Sequence, residues 1–348
     1  MMARNGSPSE AEIRARIQLL ATWMHDAGLG SGPVVLIGRL TGGSQNVLLH
    51  LQQGDREFVL RRPSWHSRSD SDRSILREAR VLAGLSSSDV PHPQFIGACS
   101  DVEVFGAAFL LMERVPGVDA DRALAGAANA RHGGESLGLA VVDSLATLAR
   151  IGVPAALSDL GKPEGWVARL APRWRAQLDS YSQLPGYRGL DSLGEVDRIG
   201  SWLAANCPSS FRPGVVHGDF HIDNLVFDPA RLQVAAIVDW ELATIGDPLL
   251  DLAHLLATWP DGRDAVAPRR RLEHLPAAAE IIERYADVLG RDLTDLPWYR
   301  VVACYRLGVL LEGSKARADA GQGPVDIGAR LHDLAVTLFD RARTLIDS

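Results

Sequence analysis

The chain of 348 residues contains only three cysteines, Cys99, Cys207 and Cys304, and they lie far apart. Their number and spacing provide neither a disulfide framework nor the paired cysteines of a structural zinc site. The first ten residues, MMARNGSPSE, lack the apolar segment of a secretory signal. We therefore expect a protein of the reducing cytoplasm.

Long apolar runs and long basic runs are also missing. The strongest apolar stretches, 107–112 and 301–311, are far shorter than the roughly 20 residues of a membrane-spanning helix, and the second contains Arg306. The formal net charge is −7, and no Lys/Arg-rich run is long enough to follow a phosphate backbone. Neither a membrane nor a nucleic acid is an expected partner, and the oligomeric state is not indicated.

The remaining composition is that of a globular chain with a substantial core. The sequence is 46% hydrophobic and 23% charged, and its length suggests two domains or lobes. Ile13, Ile17, Leu20 and Met24 recur at helical spacing. This pattern predicts an N-terminal helix within residues 1–30.

Residues 34–112 have the pattern of a small sheet with one internal helix. The segments VVLIGRL, NVLLHLQQ and REFVLRR predict three antiparallel strands, and two more strands are expected around 94–98 and 107–112. Between them, RSILREARVLAGL predicts a helix. We expect this lobe to span residues 31–114, with Val115-Pro116-Gly117 as the link to a helical lobe at 115–348.

One β-rich island interrupts the helical pattern of the second lobe. It reads VVHGDFHIDNLVFDPARLQVAAIVDW, and the Asp228-Pro229 turn joins two predicted strands, LVF and VAAIVDW. His217, Asp219 and His221 would share one face of a continuous strand, and two imidazoles with a carboxylate would suit zinc in a metal-dependent hydrolase. However, Gly218 and the polar run FHIDN indicate a loop, and no second His cluster completes a binuclear site.

A different subset of the island fits phosphoryl transfer. This reaction needs a carboxylate that orients an attacking hydroxyl group, and hard oxygen ligands that hold Mg²⁺ on nucleotide phosphates. Asp219 and Asn224 lie five residues apart in the predicted loop, and a hairpin would bring Asp239 alongside them. These three residues match the kinase pattern of Asp, four residues, Asn, and then a second Asp-led motif.

HGDFHIDN followed by IVDWELATIGDPLLDLA resembles the signature of the aminoglycoside phosphotransferase and choline kinase-like family. The sequence most resembles the phosphotransferase domains fused to some acyl-CoA dehydrogenases, and the resemblance covers roughly residues 30–260. It implies an α+β, protein-kinase-like fold with two lobes. The first lobe would be a small antiparallel sheet that binds the nucleotide, and the second would be mainly helical.

The resemblance also implies roles for residues of the island. Asp219 would be the catalytic base, Asn224 and Asp239 the Mg²⁺ ligands, and ATP or GTP the phosphoryl donor. His217 would brace the loop. Asp247 and Asp251 would either tie down this loop, as the family's acidic positions do, or simply cap the following helix.

In the first lobe, the resemblance places a phosphate-covering loop at LTGGSQN. Gly42 and Gly43 would allow backbone N–H groups to approach the nucleotide, and Ser44 would add a hydroxyl group. Glu113 and Val115 would belong to the hinge, where backbone groups usually meet the adenine base.

Arg61 occupies the place of the phosphate-binding lysine of protein kinases. This is a departure from the kinase pattern, although a guanidinium can hold phosphate oxygens in a bidentate manner. Arg62 takes this place if the register is shifted by one residue. Glu78, on the following helix, would orient the arginine.

The expected activity is a Mg²⁺-dependent transfer of a γ-phosphoryl group to a hydroxyl group of a small molecule. Aminoglycoside-like compounds and hydroxyacyl-CoA-type metabolites are both candidate acceptors. The alternative from another class is a catalytically silent, pseudokinase-like module that only binds nucleotide. The presence of Asp219 together with Asn224 and Asp239 argues against it, because a binding module needs no base.

Overall fold

The computed structural model describes residues 10–40, 46–65, 70–127, 133–259 and 275–348. The chain folds as two compact units. The first unit contains Met1–Gly117 and Ala235–Glu241, and the second contains Val118–Val234 and Leu242–Ser348. The predicted lobe boundaries stay a prediction.

The first unit is built on a five-stranded antiparallel sheet with the order β1-β2-β3-β5-β4. Its strands are β1 (Val34–Leu40), β2 (Asn46–Gln53), β3 (Arg56–Pro63), β4 (Phe95–Cys99) and β5 (Phe109–Glu113). Its helices are α1 (Glu10–Asp26), α2 (Asp70–Leu85) and the short α3 (Val102–Phe105). Gly54, with φ of +59°, makes the tight turn between β2 and β3.

Helix α1 belongs to the core of the first unit. It buries the four residues of its apolar face, Ile13, Ile17, Leu20 and Met24, in one cluster with side chains of the sheet and of α3. Trp23 of the same helix meets Phe109 of β5 edge to face, with ring centres 5.1 Å apart. Burial of an amphipathic face, more than helix propensity, stabilises a helix of this length.

The second unit is mainly helical. Its helices are α4 (Ala120–Ala127), α5 (Gly133–Arg150), α6 (Trp166–Ser180), α7 (Val196–Ala205), α8 (Leu249–Thr258), α9 (Ala278–Leu289), α10 (Leu296–Asp319) and α11 (Val325–Asp347). Helix α10 is buried on most sides, and its hydrophobic residues include Tyr299, Val302 and Tyr305, none of which is exposed. No described helix is both long and apolar enough to cross a membrane.

The predicted β-rich island contains three short strands, β6 (Gly214–Val216), β7 (Leu225–Asp228) and β8 (Gln233–Ile237), and a fourth that was not predicted, β9 (Thr244–Gly246), follows it. β6 pairs with β9 in antiparallel fashion. The strand predicted over VAAIVDW is too long at its carboxyl end, because β8 ends at Ile237. Asp239 has φ of +67°, a left-handed conformation that a β-strand cannot contain.

The antiparallel sheet of the first unit and the helical second unit confirm the predicted α+β class. The order of the five strands, α1 and α2 before residue 114 is also the predicted one, and the short α3 between β4 and β5 was not predicted. The phosphate-loop residues Gly42, Gly43 and Ser44 lie outside the described residues.

Candidate functional site

Asp251 anchors the backbone of the HGDFHIDN loop. Its Oδ2 accepts a hydrogen bond from the His217 amide at 2.6 Å, and its Oδ1 accepts one from the Gly218 amide at 2.8 Å. Burial raises the pKa of Asp251 to about 7, although both hydrogen bonds act to lower it. Asp247, in contrast, accepts from the amide of Leu249 at the start of α8. Of the two acidic positions, Asp251 holds the loop and Asp247 caps the helix.

Asn224 holds Asp219 from within the loop. Its Nδ2 donates to the backbone oxygen of Asp219 at 2.9 Å and to the Oδ2 of Asp219 at 3.1 Å. Both contacts use the amide nitrogen, so the carboxamide oxygen points away from Asp219 and is available as a ligand atom. The structure therefore brings together the predicted base and one predicted metal ligand.

His254 of α8 contacts the other carboxylate oxygen of the same residue. Its Nε2 lies 3.2 Å from the Oδ1 of Asp219, and its Nδ1 lies 3.3 Å from the Nη1 of Arg306. A guanidinium can only donate hydrogen bonds, so Nδ1 must accept, and the neutral ring carries its proton on Nε2. Arg306 thus selects the tautomer in which His254 faces Asp219 with an N–H group.

His221 completes the surroundings of Asp219. Its Nε2 lies 3.5 Å from the Oδ2 of Asp219. Burial would raise the pKa of Asp219, but the hydrogen bonds and charges of His221 and His254 outweigh burial and hold it well below its usual range. Asp219 is therefore a carboxylate at every ordinary pH.

Arg61 is the centre of an acidic cluster in the first unit. Its Nε lies 2.9 Å from the Oε2 of Glu78, and its Nη2 lies 2.6 Å from the Oδ1 of Asp239 and 3.5 Å from the Oε2 of Glu241. Burial would lower the pKa of Arg61, but the three carboxylates raise it. The structure therefore places Arg61 against its predicted partner Glu78 and against the predicted metal ligand Asp239.

The register of β3 decides between the two candidate arginines. Successive side chains of a strand point to opposite faces, so only one of two neighbours can face Glu78. Arg62 instead donates from Nη1 to the backbone oxygen of Phe105, and its guanidinium carbon lies 3.5 Å from the centre of the Trp65 ring. Arg62 is a packing residue, and Arg61 is the one in the acidic cluster.

Glu78 is buried, with a side chain only 2% exposed. Burial raises its pKa to about 7, although the charge of Arg61 acts to lower it. Its Oε1 accepts a hydrogen bond from the backbone amide of Trp240 at 3.4 Å. Glu78 therefore links helix α2 to both Arg61 and the backbone next to Asp239.

The acidic cluster has the donor chemistry that a divalent cation requires. The guanidinium of Arg61 faces three carboxylates, and the side chains of Asp239 and Glu241 are 30% and 29% exposed. Carboxylate oxygens are hard ligands suited to Mg²⁺. No group of three or more His, Cys, Asp or Glu side chains within the described ranges is arranged to hold a metal ion.

The two predicted hinge residues lie at the end of the sheet. Glu113 is the last residue of β5, its side chain is exposed, and its amide donates to the backbone oxygen of Gln94 at 2.8 Å. Val115 is half-buried in the segment that follows. Both belong to the first unit.

Sequence reasoning missed His254 and Arg306. His254 follows Asp251 by three residues on a helix, a spacing that places both side chains on one face, so the DLAH segment contained a usable signal. Arg306 comes from α10, 52 residues further along the chain. No local sequence pattern identifies Arg306 as part of the site, because a single arginine in a helix is usually a surface residue.

A comparison with protein-family models matches residues 37–294 to APH, described as the phosphotransferase enzyme family. Curated relatives include acyl-CoA dehydrogenase family member 10 of Mus musculus, 28% identical over 303 residues, and family member 11 of Homo sapiens, 28% identical over 304 residues. Each alignment covers 84% of this chain, but only 27% and 38% of the respective relative. The chain thus spans about a third of the length of these relatives.

Among solved structures, a Ralstonia eutropha protein assigned as an aminoglycoside phosphotransferase superposes with a TM-score of 0.76 at 26% identity, covering 94% of this chain and 98% of that one. Aminoglycoside phosphotransferase APH(4)-Ia, in a ternary complex with AMP-PNP and hygromycin B, has a TM-score of 0.57 at 17% identity, with coverages of 91% and 97%. The GDP complex of aminoglycoside 2'-phosphotransferase-IIIa has a TM-score of 0.59 at 15% identity, with coverages of 92% and 97%. The last two likenesses establish the fold.

Proposed function

The chain belongs to the phosphotransferase enzyme family, and we propose that it transfers the γ-phosphoryl group of ATP or GTP to a hydroxyl group of a small molecule. The proposal rests mainly on the contacts, ionisation and exposure of Asp219. It is held by Asn224 and His254, remains ionised, and keeps a side chain that is 30% exposed. A fixed, accessible carboxylate is what a general base for a hydroxyl group requires.

In the proposed reaction, Asp219 accepts the hydroxyl proton as the acceptor oxygen approaches the γ-phosphorus in line. Its role is mainly to orient the nucleophile, because phosphoryl transfer depends chiefly on positioning and on electrostatic stabilisation. A hydrogen bond from Asn224 to Oδ2 and the contact of His254 with Oδ1 keep the group in one orientation. His254 is a positioning residue for Asp219, since it contacts the base and not the reacting atoms.

On the nucleotide side, we assign phosphate binding to Arg61, with Glu78 as its orienting partner. The guanidinium offers several N–H donors, and the ion pair with Glu78 fixes the plane in which they lie. Gly42, Gly43 and Ser44 are proposed to cover the phosphates. Glu113 and Val115 are proposed to meet the base through their backbone groups.

Asn224 and Asp239 are the proposed ligands of Mg²⁺. The carboxamide oxygen of Asn224 and the carboxylate of Asp239 are both hard oxygen donors. When bound, Mg²⁺ would neutralise charge on the phosphate oxygens. The partly exposed carboxylates of Asp239 and Glu241 beside Arg61 are the donor groups that fit a cation here.

The relatives support two parts of this proposal. The complexes of APH(4)-Ia with AMP-PNP and of the 2'-phosphotransferase with GDP support a nucleotide donor. The acyl-CoA dehydrogenase family members support an acceptor connected with acyl-CoA metabolism, such as a hydroxyacyl compound. Hygromycin B in the APH(4)-Ia complex supports an aminoglycoside-like acceptor instead.

The test is acceptor-dependent release of ADP or GDP by the purified chain with and without Mg²⁺. Asp219→Asn removes the base and keeps the size of the side chain, so we expect the rate to fall by about 100- to 10,000-fold. Asp223→Asn, an exposed neighbour in the same loop, is the matched control and should retain the rate. Equal rates for wild type and Asp219→Asn would instead support a nucleotide-binding module without transfer activity.

A further inference from the structure

Two arginines and a tryptophan of the second unit lie together beside Asp219, and we call them the arginine–indole cluster. Arg173 and Trp174 are neighbours on α6, and Arg306 is on α10. The guanidinium carbons of Arg306 and Arg173 lie 5.2 Å and 5.5 Å from the centre of the Trp174 ring. Arg306 is only 5% exposed, whereas Arg173 is exposed. The cluster thus extends from the surface to a buried charge.

Within the described residues, neither guanidinium group of this cluster is in direct contact with a carboxylate. In the described part of the chain, Arg306 donates a single hydrogen bond, to His254, both guanidinium groups contact the Trp174 ring, and neither Arg306 nor Arg173 forms an ion pair. Arg61, which is buried to a similar extent, contacts three carboxylates. A buried guanidinium is costly without a counter-charge, so the missing anion needs an explanation.

The electrostatics of Arg306 agree with this description. Burial lowers its pKa, the more distant charges of Asp219 and Asp251 raise it, and the charge of Arg173 lowers it. The two carboxylates already have hydrogen-bond donors of their own, since Asp251 holds the loop backbone and Asp219 is held by Asn224. Arg173 therefore adds a second positive charge close to Arg306, whose own charge has no direct contact with a carboxylate.

Trp174 provides a further donor without an acceptor. Its indole Nε1 atom is buried and has no hydrogen-bond partner among the described residues. Buried N–H groups are normally paired, and an unpaired one indicates a missing acceptor. The cluster therefore combines guanidinium and indole N–H donors, which are the groups that recognise carboxylate or phosphate oxygens.

The cluster is one imidazole ring away from the proposed base. His254 contacts Arg306 through Nδ1 and Asp219 through Nε2. We propose, on the basis of the proposed function, that Arg306, Arg173 and Trp174 bind an anionic group of the acceptor, so that the acceptor is a hydroxyl compound bearing a carboxylate or a phosphate. The anion and the hydroxyl group would belong to the same small molecule.

This proposal separates the two acceptor classes. Aminoglycosides carry several ammonium groups, which the two guanidinium groups would repel. The formal net charge of the chain is −7 and would by itself favour a cation. Arg306 and Arg173 nevertheless place two guanidinium groups close to Asp219, and charges act most strongly at contact distance, where screening is weakest.

The experiment compares acceptors that share one short hydroxyl-bearing chain and differ in charge. A short hydroxy acid, its CoA thioester, its neutral amide and the corresponding amino alcohol are tested for acceptor-dependent ADP or GDP release by the full chain. We expect one or both anionic compounds to have kcat/KM at least about tenfold above the amide and the amino alcohol. A raised kcat/KM for the hydroxy acid would indicate a carboxylate site, and a raised kcat/KM for the CoA thioester would indicate a phosphate site.

Variants locate the site. Arg173→Gln, at an exposed position that tolerates substitution, should raise KM for the anionic acceptor about tenfold and leave KM for the nucleotide unchanged. Arg306→Lys keeps the buried charge but loses the fork of donors, and should raise the same KM. Arg122→Gln is the matched control, because Arg122 is an exposed arginine of the same unit with a 78% exposed side chain. Thermal unfolding checks that each variant folds.

The outcomes are distinguishable from failure of the proposed function. Equal kcat/KM for neutral or cationic and anionic acceptors, no activity with any anionic acceptor, or an unchanged KM in Arg173→Gln would overturn the anionic site. The proposed function would fail on a different result, namely nucleotide hydrolysis that Asp219→Asn leaves unaltered.

Discussion

At the scale of single residues, the protonation of His254 is decided by a neighbour that only donates. Arg306 occupies Nδ1, so the N–H group at Nε2 faces Asp219. The contact of this N–H group with the carboxylate of Asp219 then helps to hold the proposed base in place. His254 has no other role in the proposed reaction, which makes its effect separable from substrate binding.

We expect His254→Leu to lower kcat by about 10- to 100-fold with little change in KM for the nucleotide, because the base loses one of its donors and its orientation. His254→Gln keeps an N–H donor near the position of Nε2 and should recover much of kcat. Steady-state kinetics of both variants check this expectation. Loss of kcat and nucleotide binding together in both variants would show a general structural role instead.

Asp239 combines a left-handed backbone with the proposed metal-binding function. Its φ is +67°, and asparagine tolerates this conformation better than most residues. We expect Asp239→Asn to lower Mg²⁺-dependent phosphoryl transfer by at least about 100-fold while the free energy of unfolding changes by less than about 1 kcal/mol. Transfer assays across Mg²⁺ concentrations and chemical denaturation measure the two effects.

Leu232 provides the control for this substitution. It is the other non-glycine residue with a positive φ, +52°, among those that the structure describes. Leu232→Asn introduces the same side chain into the same backbone region and should leave transfer unchanged. Strong inactivation by Leu232→Asn would mean that the local backbone, and not the carboxylate of Asp239, controls activity.

At the scale of structural elements, the HGDFHIDN loop is shaped by one glycine and one helix residue. Gly218 has φ of +83°, and a Cβ atom there would lie 2.6 Å from the backbone oxygen of Leu242. Asp251, from α8, accepts hydrogen bonds from the consecutive backbone amides of His217 and Gly218. The loop conformation therefore depends on close packing of backbone on backbone, which leaves no space for a side chain.

We expect Gly218→Ala to lower the free energy of unfolding by at least about 2 kcal/mol, since it adds a backbone collision to the cost of a positive φ. Gly194→Ala is the matched control: its φ is +76°, but nothing lies within 4 Å of the added Cβ atom. The control should cost only about 1 kcal/mol. Equal losses for the two variants in denaturant titrations would exclude the collision as the cause.

At the scale of the whole molecule, helix α1 is part of the first unit and not an appendage to it. The apolar face of α1 lies in the same core cluster as Phe58 and Phe109 of the sheet. The β-rich island is divided between the two units. Asp239 belongs to the first unit, and Asp219 and Asn224 belong to the second.

Two adjacent leucines of α1 test this assignment. Leu20 is fully buried, and Leu19 is 51% exposed. We expect Leu20→Ala to destabilise the protein by about 2–5 kcal/mol through a cavity in the core, and Leu19→Ala to change stability by no more than about 0.5 kcal/mol. Thermal or chemical unfolding of both variants provides the comparison. A negligible effect of Leu20→Ala would show that α1 folds apart from the sheet.

The sequence by itself determined the features that depend on neighbours along the chain. Alternation predicted the strands of the first unit, helical spacing predicted α1 and α2, and the spacing of Asp219 and Asn224 marked one loop. Such patterns are readable because a regular backbone repeats every two or 3.6 residues, so local spacing translates directly into a shared face. The end of β8 was mispredicted, because the left-handed backbone at Asp239 leaves no trace in hydrophobicity.

Only the tertiary structure decided which distant groups meet. Arg61 was separated from Arg62 by contacts with Glu78 and Phe105, and Asp251 was separated from Asp247 by the two amides it binds. His254, Arg306 and Trp174 come together from three helices whose sequences show no common pattern. The physical reason is that charge balance and hydrogen-bond pairing are settled by all groups within a few ångströms, whatever their separation along the chain.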